Sequence, residues 1–413
     1  MKYWSVLTFA LTLTVFGGTG CKDQSATTLN AFTYQIQKEV TCSNGAVVSA
    51  HPLAGKVGVM ILQQGGNAID AAIATQLALA VVYPGAGNLG GGGFMLARLT
   101  NGQTVAIDYR EKAPANATRD MYLDSTGNPV MQLSQYGHLS AGVPGTVAGL
   151  FASMKYATLP FRHLVQPAID LAENGFAITA NEAASLNHAQ EAFRRYNTSA
   201  TAFIKQDGWK TGDTLVQTEL AETLKRIRDK GQKGFYEGET ARMIVSEMKK
   251  ANGIISLDDL KNYEAKERKP VEFNYKGYSV ISMPLPSSGG IILQQCLKMI
   301  EQRNIGKMGF HSPQSVQLMT EVERRAYADR AQFMGDEDFV KVPVKTLTRD
   351  TYLQERMADY IPDRAGSSDL VKAGKIPPES EETTHLSVAD KWGNVVAVTT
   401  TLNGSYGSKT VVS

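Results

Sequence analysis

Thr383 is the position where a side-chain hydroxyl could become a nucleophile. It follows a polar stretch, 363–382, rich in Pro, Gly, Ser, Lys and Glu, and it opens a segment that alternates at period two. A threonine hydroxyl on its own attacks poorly. Cleavage of the Glu382-Thr383 bond would release an α-amine with a reference pKa of roughly 7.7 to 8, close enough to neutrality to serve as general base for the hydroxyl of the same residue. One residue would then hold both functions. Threonine is also common in ordinary strands, so the pattern taken alone fits a structural residue as well.

A second candidate is Gly85-Ala86-Gly87-Asn88-Leu89-Gly90, extended by Gly91, Gly92 and Gly93. It satisfies G-x-G-x-x-G, and Asp108 stands 18 residues after Gly90, as in a dinucleotide-binding turn. That fingerprint needs a strand before it and a helix after it. Here a helical pattern precedes and Phe94 to Thr100 reads as strand, so the glycines are better taken as a tight backbone path. The six histidines (His51, His138, His163, His188, His311, His385) never fall at metal-ligand spacing with one another or with cysteine. Nothing calls for a metal or an organic cofactor.

The elements that would position these residues are legible in part. Helices are predicted over about 54–64 and 68–83; Gly65-Gly66 ends the first, and Asn67 with Asp70 forms the cap of the second. The second is apolar almost all round (Ile69, Ile73, Leu77, Leu79, Val81, Val82), which places it deep in a core. Two strands, 94–100 and 103–109, meet at Asn101-Gly102, leaving Arg110 at a strand end beside the glycine loop. Helical stripes follow at Val216, Leu220, Leu224 and Ile227 and at Ala241, Ile244, Val245 and Met248, and Ser256 with Asp259 starts another helix. A strand is expected over 271–283, a loop over 284–290 opening a helix, and a long helix over 312–333. A hairpin is expected from 383–390 and 395–402 around Lys391-Trp392-Gly393-Asn394.

At 413 residues and 43% apolar composition the chain can bury a large core, as one big domain or two of ordinary size. A formal charge of +2 implies no nucleic-acid or other polyanion partner. Lys2, the short apolar run from Val6 to Phe16 and Gly18-Thr19-Gly20-Cys21 read as a secretion signal over 1–20, with lipid attached to Cys21. The expected location is exported, in the periplasm or as an outer-membrane lipoprotein of a bacterium. Cys42 and Cys296, the remaining cysteines, are expected to be free and buried.

Thr383-Thr384-His385-Leu386-Ser387-Val388, followed by Gly393-Asn394, Ala397-Val398-Thr399 and Leu402-Asn403, resembles the start of the gamma-glutamyltranspeptidase small subunit. His51-Pro52-Leu53-Ala54, Gly65 to Ala72, Gly90 to Phe94, Asp108-Tyr109-Arg110-Glu111, Gly142-Val143-Pro144-Gly145 and Pro286 to Gly290 resemble that family's large subunit, in order along nearly the whole chain. The resemblance implies a four-layer αββα N-terminal nucleophile hydrolase fold and self-cleavage at Glu382-Thr383. It divides the chain into a large-subunit region, 21–382, and a small-subunit start, 383–413. It also implies transfer of a gamma-glutamyl group from glutathione-like donors to water or an amino acid. Thr383 would be the nucleophile and Thr401 would orient its amine and hydroxyl. Arg110 would bind the donor's α-carboxylate, which suits a guanidinium fork. Asn403 would help hold the same end. His385 is taken as a packed structural histidine.

One departure stands out. Only 31 residues run from Thr383 to Ser413, and in the family the acidic residues for the substrate amine, a serine pair and the oxyanion-hole glycines all follow later. The stretch as given is therefore expected to be inactive or nearly so, with sheet edges and apolar surface uncovered. A fragment of a longer product and a truncated, lipid-anchored inactive remnant are both open. A related self-cleaving amide or beta-lactam acylase is the other enzyme class that fits, although Arg110 favours an α-amino acid donor.

Overall fold

The computed structural model describes residues 29–368, 371 and 383–412. Cys21, Glu382, the 1–20 signal and most of the 363–382 linker lie outside the described residues. The fold is built outward from one helix. α1 (Pro52–Gln63) leads through Gly65 and Gly66 into α2 (Ala68–Val82), in which all fifteen residues are buried. A helix apolar on every side must be surrounded on every side, and this one is, by α1, the helix Phe161–Asn174 and a sheet.

Its start shows why the Gly65 to Ala72 motif has those residues. Asn67 Oδ1 accepts from the N–H groups of Ile69 and Asp70, at 2.9 and 3.0 Å, while Asp70 Oδ2 accepts from Asn67 N at 2.8 Å. The Asp70 carboxylate also takes the N–H groups of Thr158 and Leu159, so it joins a loop far along the chain to the helix start. A second carboxylate completes the end: Asp390 Oδ2 accepts from Ala68 N at 2.9 Å. Asp390 is buried and also accepts from Trp392 N, Asn394 N and Asn394 Nδ2.

That contact anchors a hairpin in the middle of the main sheet. The strands are β1 (Gly45–Val48), β2 (Gly92–Arg98), β3 (Thr104–Asp108), the short β4 (Phe176–Ala177) and β5 (Thr214–Leu215), β6 (Lys266–Arg268), β7 (Val271–Tyr275), β8 (Tyr278–Ser282), β9 (Thr383–Asp390) and β10 (Val395–Thr401). The six-stranded sheet has the order β1-β9-β10-β2-β3-β6 and is antiparallel throughout. Leu386, Val388, Val396, Val398, Met95, Ala97, Val105 and Ile107 share one buried face; β9 and β10 pack on α2, and β2 and β3 on the helix Thr146–Ser153. Each of the Val, Leu, Ile and Met side chains among them contributes about 1.5 to 3 kcal/mol of burial. On the other face His385 is exposed, and Ser387, Thr399, Phe94 and Leu96 are partly covered. The described residues thus supply a helix layer and a sheet layer of an α+β architecture.

Three expectations change. The single strand over 271–283 is the two-stranded hairpin β7-β8. Lys276 and Gly277 both adopt positive φ, +47° and +85°, as a tight two-residue turn requires. Val216, counted in a helical stripe, precedes the helix Thr218–Lys230 and is exposed. Cys42 is exposed rather than buried, whereas Cys296 is mostly covered and burial pushes its thiol up to about 12. A second core forms where the helices Gly289–Glu301, Pro313–Phe333 and Asp350–Arg356 meet around Met299, Leu318, Val322 and Leu353.

Asp390→Ala removes the acceptor for a helix start and for its own turn together. The expected loss is about 2 to 4 kcal/mol in urea unfolding; a loss under about 0.5 kcal/mol would show that water replaces these bonds without cost.

Candidate active site

The register of β10 decides what lies next to the first residue of β9. Thr401 stands opposite Thr383 on one side and opposite Gly92 on the other. After Thr401 the chain leaves the sheet. Thr401 Oγ1 accepts from the backbone N–H of Asn403 at 2.9 Å, and Asn403 takes a left-handed conformation, φ +66°. That bend presents the exposed Asn403 side chain to Arg110, whose Nη2 donates to Asn403 Oδ1 at 3.0 Å.

Arg110 reaches this point because β3 continues its pairing one residue further. Tyr109 N donates to Gly93 O at 3.0 Å, and the fully buried Tyr109 ring ends the strand. Arg110 N then donates to Asp108 Oδ1 at 3.0 Å, and Tyr263 Oη donates to Arg110 O at 2.6 Å, so the backbone is held from both sides. The guanidinium lies 5.8 Å from the centre of the Phe94 ring, and its Nε is 3.4 Å from Glu111 Oε2. Arg110's side chain is 35% exposed and that of Glu111 13%. The cation is therefore reachable, and the carboxylate beside it is mostly covered. Burial raises the Glu111 carboxyl above its ordinary range, against the opposing pull of the Arg110 charge and backbone hydrogen bonds.

The structure brings Arg110, Asn403, Thr401 and the backbone of Thr383 to one sheet end. It does not place His385 in the core: Nδ1 is 2.9 Å from Thr399 Oγ1, Nε2 is 3.2 Å from Ser387 Oγ, and the ring is exposed. The expectation of a packed histidine fails because its strand position faces away from α2. Partial burial still lowers its pKa. The glycine run serves close approach, since a Cβ on Gly91 would lie 2.3 Å from Thr401 O and one on Gly93 2.3 Å from Thr399 O. With α2 before it and β2 after it, the run lacks the context of a dinucleotide fingerprint. Beside the site opens a cavity of about 730 Å³, lined among others by Gly90, Glu111, Leu402, Asn403, Phe203 and Tyr406. Sequence reasoning missed Glu111 and Asn88 as parts of this site; their place within two quoted motifs was the one available signal.

A strand opened by threonine, a six-stranded antiparallel sheet against a buried helix and the Arg110–Asn403 pair define an α+β protein, and the solved structures it resembles include gamma-glutamyltranspeptidases of the N-terminal nucleophile hydrolase class. The family model described as gamma-glutamyltranspeptidase matches residues 54–413, and the chain belongs to that family. It is 48% identical over 374 residues to a glutathione hydrolase proenzyme of Escherichia coli, an alignment covering 89% of this chain and 64% of that relative. It is 38% identical over 380 residues to an acylase ACY 1 proenzyme of a Pseudomonas, covering 90% and 68%. The crystal structure of Helicobacter pylori gamma-glutamyltranspeptidase superposes with a TM-score of 0.79 at 45% identity, covering 83% of this chain and 100% of that one. The chain thus spans a little under two thirds of the length of the Escherichia coli relative.

Two outcomes test this geometry. Asn403→Gly tolerates the left-handed backbone and Asn403→Ala does not, so the alanine variant should unfold about 1 kcal/mol more easily than the glycine variant. Equal midpoints would mean that the bend carries no strain for alanine. The second concerns Glu111. Because its folded pKa is raised, its contribution to stability is fully present below the ordinary carboxylate pKa and is lost as pH rises through the raised value. Glu111→Gln should therefore gain stability relative to the parent as pH rises from about 4, the ordinary carboxylate value, toward neutrality in urea titrations. A constant difference across that window would show that burial does not perturb this group.

Proposed function

We propose that this chain carries the nucleophile and the donor-carboxylate side of a gamma-glutamyl transfer site. What supports the reading is one observation above all: the hydrogen-bonded line Arg110–Asn403–Thr401 ends directly across the sheet from Thr383. In the maturation step the Thr383 hydroxyl attacks the Glu382 carbonyl, the peptide C–N bond breaks as the nitrogen takes up the proton, and water hydrolyses the resulting ester. The products are a carboxylate at Glu382 and an α-amine at Thr383. Residues 21–382 then form a large subunit, and a small subunit begins at Thr383.

In turnover the Thr383 hydroxyl passes its proton to its own α-amine and attacks the donor's γ-carbonyl. Backbone donors hold the oxyanion, at on the order of 3 kcal/mol each. The leaving amine departs with the proton, a glutamyl ester remains, and water or an amino acid resolves it. Arg110 binds the donor's α-carboxylate with Asn403 beside it, and Thr401 orients the Thr383 amine. The donors are glutathione and related gamma-glutamyl compounds. The chain is exported by its 1–20 signal, to the periplasm or to a lipid anchor at Cys21; among the described residues no helix is long and apolar enough to cross a membrane.

In the gene product expressed at its full length, N-terminal sequencing should find a fragment beginning at Thr383, and Thr383→Ala should abolish both that fragment and hydrolysis of a gamma-glutamyl anilide. Arg110→Lys should raise KM on the order of 30- to 100-fold, about 2 to 3 kcal/mol, with kcat changed far less. Cleavage persisting in Thr383→Ala, or a glutaryl amide consumed in preference to the gamma-glutamyl anilide, would overturn the assignment.

A further inference from the structure

Resting on that transfer-site reading, we infer that Asn88 is a positioning residue that holds the Thr401–Asn403 corner in place. Asn88 sits inside the glycine run, is buried, and uses every polar valence of its carboxamide. Nδ2 lies 3.0 Å from each of three acceptors, Thr401 O, Thr400 Oγ1 and Ala86 O, so its two hydrogens serve all three with one of them shared. Oδ1 accepts from Gly91 N at 2.9 Å and from Thr146 Oγ1 at 2.6 Å. The orientation of the amide is dictated by its neighbours, because two of them are backbone carbonyls that can only accept and one is a backbone N–H that can only donate.

The place of these bonds gives them a function. β10 pairs with β2 as far as Thr401 opposite Gly92, and there the ladder ends. Asn88 takes the Thr401 carbonyl at that end, so one side chain caps the strand as it turns away. The next links are the Asn403 N–H on Thr401 Oγ1 and Arg110 on Asn403 Oδ1. Asn88 thus stands at the buried end of a chain of contacts whose exposed end is the donor-binding pair. The other amide near it, Gln76, is farther from Thr400 Oγ1, at 3.5 Å. The backbone of the glycine run leaves room for this, since a Cβ on Gly91 would lie 2.8 Å from Asn88 Oδ1.

The test uses two variants of the full-length gene product. Asn88→Asp keeps the shape and the acceptor bonds to Gly91 and Thr146 but turns the donor into an acceptor facing Thr401 O; Asn88→Ala removes both. With active sites titrated, KM for a gamma-glutamyl anilide should rise about tenfold in either variant. Asn88→Ala combined with Asn403→Gly should be little worse than Asn403→Gly alone, because both act through one corner. Multiplied effects, or an unchanged KM with only a lower melting temperature, would overturn the proposal by showing a contribution to folding alone. If the parent itself does not turn over the anilide, the transfer reading fails and the Asn88 assignment is still read directly. Amide hydrogen exchange at Asn403 should be at least about tenfold faster in Asn88→Asp than in the parent under native conditions, and an unchanged rate refutes it.

Discussion

The register of β10 between β9 and β2 is the constraint on which the rest of the structure depends. Because side chains alternate across a sheet, a slip of one residue would expose Val396 and Val398 and turn Thr399 and Thr401 toward α2. It would also move Thr401 away from Thr383 and Gly92. Burial of one face therefore sets which residues meet on the other and at the end. The energetic requirement of the core and the geometric requirement of the site are satisfied by the same alignment.

The joints around that sheet follow a common physical pattern. Where a backbone ladder or helix ends inside the protein, its unpaired groups need partners, and desolvated side chains supply them. Asp70 and Asp390 take N–H groups at the start of α2, from the helix and from a distant loop and hairpin turn. Asn88 takes a carbonyl at the end of β10. All three are buried and multiply bonded. A buried polar group with its valences filled is directional, so these contacts specify which segments meet, while the apolar contacts supply most of the favourable free energy.

Much of this was legible where the signal was local. The cap at Asn67 and Asp70, the almost wholly apolar α2 and the β9-β10 hairpin follow from spacing within a dozen residues, and they stand where spacing placed them. The errors fall where the deciding partner is distant or the turn unusual. Lys276-Gly277 carries a weaker turn signal than Asn-Gly, so local pattern alone predicts one strand where β7 and β8 form a hairpin. A packed His385 and a buried Cys42 are the expectations that fail, because exposure depends on which face the assembled sheet covers and on where the chain before β1 runs.

By itself the sequence determined the elements and the identity of the reactive types: a threonine after a polar stretch, an arginine at a strand end, an asparagine after a strand, glycines between a helix and a strand. Resemblance added their grouping as an expectation. Only the tertiary structure decided that Arg110 and Asn403, 293 positions apart, share a hydrogen bond, that Glu111 lies mostly covered beside the guanidinium, and that Asn88 reaches Thr401. The physical reason is that local preference depends on neighbours in the chain, whereas a site is made by non-local strand pairing, and pairing is chosen by the burial of a whole face at once.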